Sequence, residues 1–183
     1  MTTRLLLARH AKTEQQGPPT QGDHGRALLP RGRRDAQAAS RWLVQSDLIP
    51  DLVLCSTAVR ALQTWAAMAE GSAALAEVEV WRDRRIYNAS PGELLGVLAE
   101  VPEGVSTVAM VGHAPGIPGL VVELADPERA DNEAAELFNA GFPTMAVASL
   151  AADGPPATAT VADLPLESMR LMALHTPDRS LRP

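Results

Sequence analysis

The sequence predicts an α/β protein, a three-layer α/β/α sandwich with a mostly parallel sheet and an antiparallel edge strand. Short apolar runs that end in polar residues recur along the chain, and helical patterns separate them. Strands that alternate with helices form parallel sheets covered on both faces. Near the C-terminus, two apolar runs joined by a turn signal indicate the antiparallel edge. The chain has 183 residues and 46% hydrophobic content, so we expect a single domain over residues 1–183.

The first elements bring a cation and an imidazole to the end of a strand. Residues 5–8 form an apolar run that stops at Arg9 and His10, which predicts a buried strand delivering both side chains to its carboxyl end. Residues 13–29 contain five glycines and prolines, so we expect a long loop beside that end. The polar side chains of this loop include Asp23, His24 and Arg26.

An arginine then stands at an unusual place in a helix. The loop is followed by a predicted helix over residues 30–45, a strand over 49–55 and an alanine-rich helix over 58–69, with Ser56 or Thr57 placed to cap it. Arg60 lies in the first turn of that last helix. Cations are disfavoured there because the macrodipole is already positive, so Arg60 indicates a nearby anion. The structural alternative is a solvent-facing arginine paired with a carboxylate.

The second half of the chain repeats the alternation and ends in a predicted hairpin. Gly112 and His113 follow an apolar strand, so a second imidazole is expected at a strand end. We expect the hairpin to pair residues 144–150 with 158–164, and the tail after Pro165 to fray. The remaining predicted elements are a strand around 78–81, a strand over 106–111, and helices that begin at Ser90 with a capping box, at 117 and at 133.

Composition excludes several classes of partner. The net charge is −6, from 16 basic and 22 acidic residues, so the chain lacks the basic face that nucleic-acid binding requires. The single cysteine, Cys55, cannot form an internal disulfide, and we expect it in the core. The chain has no apolar stretch of about 20 residues, the length of a membrane span, and residues 5–8 are too short for a signal peptide. We therefore expect a cytoplasmic protein without a membrane partner.

The predicted strand ends can assemble one anion site. Carboxyl ends of parallel strands meet at one edge of the sheet, where ligands bind in open α/β folds. Two arginines can hold phosphoryl oxygens, one imidazole can attack phosphorus, and another can stabilise the developing charge. Such a set supports phosphoryl transfer without a metal ion or another cofactor. The candidate residues are Arg9, His10, Arg60 and His113.

Four motifs, in order along nearly the whole chain, carry a family resemblance. They are Leu-Ala-Arg-His-Ala at 7–11, Asp-His-Gly-Arg-Ala-Leu-Leu-Pro-Arg-Gly at 23–32, Ser-Thr-Ala-Val-Arg-Ala-Leu-Gln-Thr at 56–64 and Val-Gly-His at 111–113. The first, third and fourth resemble the Arg-His-Gly signature, the Ser-x-x-x-Arg-x-x-x-Thr helix start and the second histidine of the histidine phosphatase superfamily (phosphoglycerate mutase-like). The remaining motif resembles the Asp-x-x-Arg-Pro-Leu-Thr-x-x-Gly element of its SixA-type phosphohistidine phosphatase branch.

The resemblance implies roles for these residues. His10 would be the nucleophile that becomes phosphohistidine, and Arg9, Arg60 and His113 would form the phosphate pocket. Arg26, with Asp23, would contact the substrate, which is either phosphohistidine in a phosphoprotein or a small phosphorylated metabolite. Lys12 stands where many members have glutamate, which departs from the substrate pocket of the mutases. Few residues separate Arg60 from His113, so we expect an open pocket without the helical lid of the mutases. An open pocket favours hydrolysis over intramolecular transfer.

Two questions stay open at the level of sequence. The general acid is one of three carboxylates, Asp83, Glu93 or Asp23, although a phosphohistidine substrate has a good leaving group and needs less acid. The alternative function is a phospho-ligand binding module of the same fold that performs no turnover. A metal site formed by His10, His24 and His113 is disfavoured, because the neighbouring arginines repel a cation.

Overall fold

Six strands form one sheet in a computed structural model of the protein, which describes residues 3–152 and 168–177. The strands are β1 (Thr3–Arg9), β2 (Leu52–Ser56), β3 (Glu79–Asp83), β4 (Thr107–Gly112), β5 (Val147–Ala152) and β6 (Arg170–His175). The helices are α1 (Pro30–Gln45), α2 (Val59–Glu70), α3 (Ala73–Ala76), α4 (Pro91–Leu98), α5 (Gly116–Leu124) and α6 (Asn132–Asn139). Single 3₁₀ turns lie at Gly22–Gly25 and Arg84–Ile86.

The sheet is mostly parallel, as the sequence predicts. Its order is β3-β2-β4-β1-β5-β6, and the pairings from β3 through β1 are all parallel. β5 runs antiparallel to both β1 and β6, so the antiparallel pairings are confined to one side of the sheet. The three-layer α/β/α fold predicted above is therefore confirmed.

Two hydrophobic cores, one on each face of the sheet, make the three layers. Leu6, Val53 and Val111 face a core that also contains residues of α1, α2 and α3. Leu5 and Met110 face the opposite core, which contains residues of α4, α5 and α6. Neighbouring residues of one strand thus enter different cores, because side chains alternate between the faces of a sheet. This double burial explains why the central strands are continuous apolar runs rather than alternating ones.

The C-terminal strand differs from the prediction. Residues 158–164, expected as the partner of 144–150, lie outside the described residues, as does the expected turn at Asp153-Gly154. The partner of β5 is β6, which lies in the tail that was expected to fray, so that expectation is wrong for Arg170–His175. A register shift in β5 places Leu171 and Leu174, three residues apart, in the same core. The shift breaks the period-2 pattern that would have revealed this strand.

Local sequence signals account for the ends of the helices near the site. Ser90 and Glu93 form the predicted capping box of α4. α2 begins at Val59 after Ala58, and no side chain caps it, so the expected cap by Ser56 or Thr57 is wrong. Both hydroxyl groups bind histidines instead, as described below. Among the described residues, no helix is long and apolar enough to span a membrane.

Candidate active site

The sheet brings the two predicted imidazoles together. β1 and β4 are neighbours, with Arg9 opposite Gly112, so the residues that follow each strand emerge side by side. The backbone N–H of His10 donates to the carbonyl of Gly112 at 3.0 Å. The ring centroids of His10 and His113 lie 5.3 Å apart, and both residues are buried.

Hydrogen bonding selects the reactive nitrogen of His10. Its Nδ1 lies 2.8 Å from the carbonyl oxygen of Ala11, and a carbonyl oxygen can only accept. Nδ1 therefore carries the proton, and the neutral ring has its lone pair on Nε2. The backbone N–H of Ala11 in turn donates to Thr64 Oγ1 at 3.0 Å, which ties the residue after His10 to α2.

Ser56 binds one ring nitrogen of His113. Its Nε2 lies 2.8 Å from Ser56 Oγ, and the same hydroxyl oxygen accepts from the backbone N–H of Ala58. When Ser56 donates to Nε2, the neutral ring of His113 carries its own proton on Nδ1. That Nδ1 is buried and has no hydrogen-bond partner among the described residues. It is a donor available to an anion.

Both predicted pocket arginines also have unused donors. Arg60 is only 3% exposed, and Arg9 donates through Nη1 to the carbonyl of Phe142 at 2.8 Å. The Nε of each arginine is buried and lacks a partner in the part of the chain that the structure describes. Buried donors without partners are rare because they are costly, so these nitrogens are free to bind a ligand or a water molecule.

The electrostatic environment keeps both imidazoles neutral. Burial is the main cause that lowers the pKa of His10 to about 4, and the positive charges of Arg60, Arg9 and Arg26 lower it further, although the bond to Ala11 opposes them. Burial, followed by the charge of Arg60, lowers the pKa of His113 to about 3. At neutral pH the His10 lone pair is therefore free.

Asp23 and Arg26 lie on the loop between β1 and α1 and bind each other. Arg26 Nη1 donates to Asp23 Oδ1 at 2.9 Å, and its Nε donates to the Glu14 carbonyl at 2.8 Å. Arg60 donates from Nη1 to the Asp23 carbonyl at 2.7 Å and from Nη2 to Asp23 Oδ2 at 3.0 Å. The loop thus connects to the start of α2 through Asp23.

Tyr87 is a site residue that the sequence analysis missed. Its hydroxyl donates to Asp23 Oδ2 at 2.7 Å. Its ring packs edge-on against His113, with centroids 5.4 Å apart, and the Arg60 guanidinium carbon lies 5.5 Å from its centroid. It is the single tyrosine of the chain and follows the 3₁₀ turn after β3, but no motif singles it out.

The third histidine contacts Thr57 and Tyr87. His24 Nε2 lies 3.1 Å from Thr57 Oγ1, and its ring packs against Tyr87 with centroids 4.9 Å apart. Among the described residues, no group of three or more His, Cys, Asp or Glu side chains could hold a metal ion. The donors around His10 are arginines, which suit an anion and not a cation.

The three candidate acids are all held in their charged form. Asp83 accepts from Arg85, and that bond is the main cause that lowers its pKa. Glu93 accepts from Ser90 in the capping box, which lowers its pKa. Bonds from Tyr87 and Arg26 hold the pKa of Asp23 far below its usual range. A carboxylic acid that donates a proton at neutral pH needs a raised pKa, and these have the opposite shift.

A cavity of about 570 Å³ opens beside His10. Its lining is polar and includes Arg9, Lys12, Glu14 and Arg26. Neither Arg60 nor His113 lines it. The cavity therefore reaches His10 from the side of Arg9.

Comparisons with known proteins agree with this geometry. The model of the histidine phosphatase superfamily (branch 1) matches residues 5–118. An uncharacterized protein of Mycobacterium tuberculosis is 38% identical over 147 residues, which cover 80% of this chain and 87% of that protein. The structure of a candidate phosphohistidine phosphatase SixA from Nakamurella multipartitia matches with a TM-score of 0.79 and 33% identity, over 97% of each chain. A second such SixA structure, from Agrobacterium tumefaciens, matches with a TM-score of 0.72 and 25% identity, over 96% of this chain and 99% of that one.

Proposed function

The chain belongs to the histidine phosphatase superfamily, in its SixA-type branch, and from that premise we propose that it is a metal-independent hydrolase that works through phosphohistidine on His10. One observation carries the proposal. The neutral His10 ring has its lone pair on Nε2, its centroid lies 5.3 Å from that of His113, and nitrogens of Arg9, Arg60 and His113 are buried without a partner among the described residues. A tetrahedral phosphoryl group would supply acceptors for those donors and phosphorus for that lone pair.

The first half of the reaction forms the phosphoenzyme. Nε2 of His10 attacks phosphorus, the new N–P bond forms, and the bond to the leaving group breaks with its electron pair. Arg9, Arg60 and the Nδ1–H of His113 donate to the phosphoryl oxygens, where charge is spread in the transition state. The Ala11 carbonyl holds the Nδ1 proton of His10 and stabilises the charge that the ring acquires.

The second half releases phosphate. A water molecule attacks phosphorus, the N–P bond breaks, and its electron pair returns to Nε2. One proton of the water leaves to solvent and the other stays on phosphate, so His10 regains its starting state. Water has access because the cavity beside His10 is open toward Lys12 and Glu14, which agrees with hydrolysis rather than phosphoryl transfer back to the substrate.

The charged state of the candidate acids favours phosphohistidine as the substrate. An alkoxide leaving group requires a protonated acid, whereas Asp83, Glu93 and Asp23 all have lowered pKa values. The imidazole of a phosphohistidine leaves as a neutral group once its nitrogen takes a proton from solvent. We therefore place a phosphohistidine in a phosphoprotein before a small phosphate monoester as the substrate.

The same observation supports a second function, a phospho-ligand binding module without turnover. A protein with no usable acid and a pocket of buried donors would bind a phosphoryl group and keep it. The two functions differ in the fate of the N–P bond, which an experiment can follow directly.

The test is to incubate the protein with a phosphohistidine-carrying phosphoprotein labelled on phosphorus, in the presence of a chelator. We expect the wild-type protein to release inorganic phosphate and to carry acid-labile label in transit. Replacement of His10 with Ala should abolish both signals, a loss of at least about a thousandfold in rate, because the nucleophile is absent. The control is His175→Asn. His175 lies on the edge strand β6, and its ring stacks on Trp42 of α1.

Three results would decide against the hydrolase. Activity that survives in His10→Ala would exclude the phosphoenzyme, and activity that the chelator removes would exclude a metal-independent reaction. Tight binding of the phosphoprotein by the wild-type protein, with no phosphate released, would establish the binding module instead.

A further inference from the structure

Asp23 occupies donors at the edge of the proposed phosphate pocket. Both terminal nitrogens of Arg60 donate to Asp23, one to its carbonyl at 2.7 Å and one to its carboxylate at 3.0 Å. The same carboxylate accepts from Arg26 at 2.9 Å. Two of the three arginines whose charges act on His10 are therefore already paired with one internal anion.

Tyr87 holds that anion in place. Its hydroxyl donates to Asp23 Oδ2 at 2.7 Å, the same oxygen that accepts from Arg60. Its ring is fixed by edge contacts with His113 and His24. Since those contacts hold the ring, the hydroxyl has little freedom to leave Asp23 without a rearrangement of the pocket wall.

The exposed position of the Asp23 carboxylate allows an arriving anion to displace it from Arg60. It lies on the 3₁₀ turn Gly22–Gly25 of the loop, and 48% of its side chain is exposed, whereas Arg60 beneath it is 3% exposed. The open cavity beside His10 is not lined by Arg60 or His113. The negative charge of Asp23 therefore repels an arriving dianion near Arg60, and Asp23 must move before both terminal nitrogens of Arg60 can donate to that dianion.

We infer that Asp23 is a displaceable internal counter-anion of Arg60, and that Tyr87 is the positioning residue that keeps it on the pocket in the free protein. The inference rests on the proposed function, because it assumes that Arg60 binds the phosphoryl group. It assigns Asp23 to control of anion affinity and not to proton donation. Tyr87 acts only through Asp23, so its hydroxyl has no effect of its own on the anion.

Binding of inorganic phosphate, measured by calorimetry on the full chain at pH 7, tests this without turnover. Replacement of Asp23 with Asn should tighten binding by about tenfold, because it removes a negative charge next to the anion. Tyr87→Phe keeps the ring and removes one hydrogen bond to Asp23, so it should tighten binding by about threefold. In the Asp23→Asn background, Tyr87→Phe should add nothing.

The control and the kinetics make the test specific. Glu70→Gln changes a carboxylate to an amide in the exposed pair with Arg33 at the far end of α2, and it should leave phosphate affinity unchanged. With the phosphoprotein substrate, Asp23→Asn should lower KM. Because phosphate binding needs no turnover, the inference is tested separately from the hydrolase reaction.

Several outcomes would overturn the inference. If phosphate binding weakens or stays the same in Asp23→Asn, then Asp23 is not a displaceable counter-anion. If Asp23→Asn lowers kcat without tightening phosphate binding, then Asp23 acts as the proton donor. An effect of Tyr87→Phe that persists in the Asp23→Asn background shows that Tyr87 acts directly. If neither the wild-type protein nor Asp23→Asn binds phosphate, the inference fails together with the proposed pocket. If His10 acquires the phosphoryl label but Asp23→Asn leaves the phosphate affinity unchanged, only the inference fails and the proposed function stands.

Discussion

The backbone carbonyl of Ala11 decides which nitrogen of His10 is free to react. Because that carbonyl accepts from Nδ1, the lone pair lies on Nε2, and burial keeps the ring neutral well below neutral pH. Ser56 binds Nε2 of His113 and leaves its Nδ1 without a partner among the described residues. Two chemically equal side chains thus differ in which ring nitrogen is free, because each is held through its other nitrogen.

The pKa of His10 predicts where phosphoenzyme formation fails in acid. The pKa is lowered to about 4 by burial and by Arg60, Arg9 and Arg26, so His10 stays unprotonated down to about pH 5. We expect the rate of single-turnover labelling of His10 to fall only near pH 4. Arg26→Gln removes one positive charge and should move this acid limb upward. An acid limb near pH 6.5 in the wild-type protein would contradict the prediction.

At the scale of elements, close contacts hold the segment after His10 between α1 and α2. Thr64 of α2 accepts from the N–H of Ala11 at 3.0 Å and donates to the carbonyl of Arg60 at 2.6 Å. On the other side, Gly32 in the first turn of α1 lies against the carbonyl of Lys12, where an added Cβ would collide with backbone. The position of His10 therefore depends on two helices as well as on β1.

Two glycine-to-alanine changes test this contact. Gly32→Ala should lower the free energy of unfolding by about 1–3 kcal/mol, because the Lys12 backbone must move to admit the methyl group. Gly96 lies in α4 with open space around it. Gly96→Ala should raise the free energy of unfolding by up to about 1 kcal/mol, because alanine has a higher helix propensity than glycine. Urea unfolding of both variants measures the difference. Equal effects of the two changes would show that α1 does not press on the segment after His10.

At the scale of the whole molecule, one sheet serves two cores and carries the site at the carboxyl ends of its parallel strands. The order of strands places β1 next to β4 and β4 next to β2, which brings His10, His113 and Ser56 together. The site thus requires two buried neutral imidazoles, and their burial makes the free energy of unfolding depend on pH.

Global stability should fall as the solution is acidified. The pKa values of His10 and His113 in the folded protein, about 4 and about 3, lie below the unfolded value near 6.5. The histidines of the unfolded chain therefore bind protons first as the pH falls through 6.5. The contribution of the two imidazoles to the free energy of unfolding is fully present above pH 6.5 and is lost as the pH falls toward 4. We expect a loss of about 2–4 kcal/mol between pH 7 and pH 5.

Denaturant unfolding at several pH values measures this slope. His113→Asn removes one of three histidines whose pKa burial lowers, the others being His10 and His175, so it should make the slope shallower whatever it does to stability at pH 7. The paired carboxylates Asp23 and Asp83 have lowered pKa values and titrate below this window. A wild-type stability that stays constant from pH 7 to pH 5 would show that the imidazoles are not buried as described.

The strengths and failures of the sequence-based predictions have physical reasons. Helix α1 was predicted at its observed ends, because its pattern is long and periodic. Strand β6 was missed, because its core residues Leu171 and Leu174 are paired across a register shift and show no alternation. The roles of Ser56 and Thr57 were predicted as caps, because local spacing favours capping, whereas in the folded chain histidines from distant segments take both hydroxyl groups.

The sequence by itself determined the alternation of strands and helices and the arrival of Arg9, His10 and His113 at strand ends, because hydrophobic periodicity and strand termination are local properties. Only the tertiary structure decided which nitrogen of each imidazole is free, which carboxylates are charged, and that Tyr87 holds Asp23 on Arg60. These features depend on distances of about 3 Å between residues far apart in the chain, such as Tyr87 and Asp23. Such distances follow from the packing of the whole sheet and its helices, which no short segment specifies.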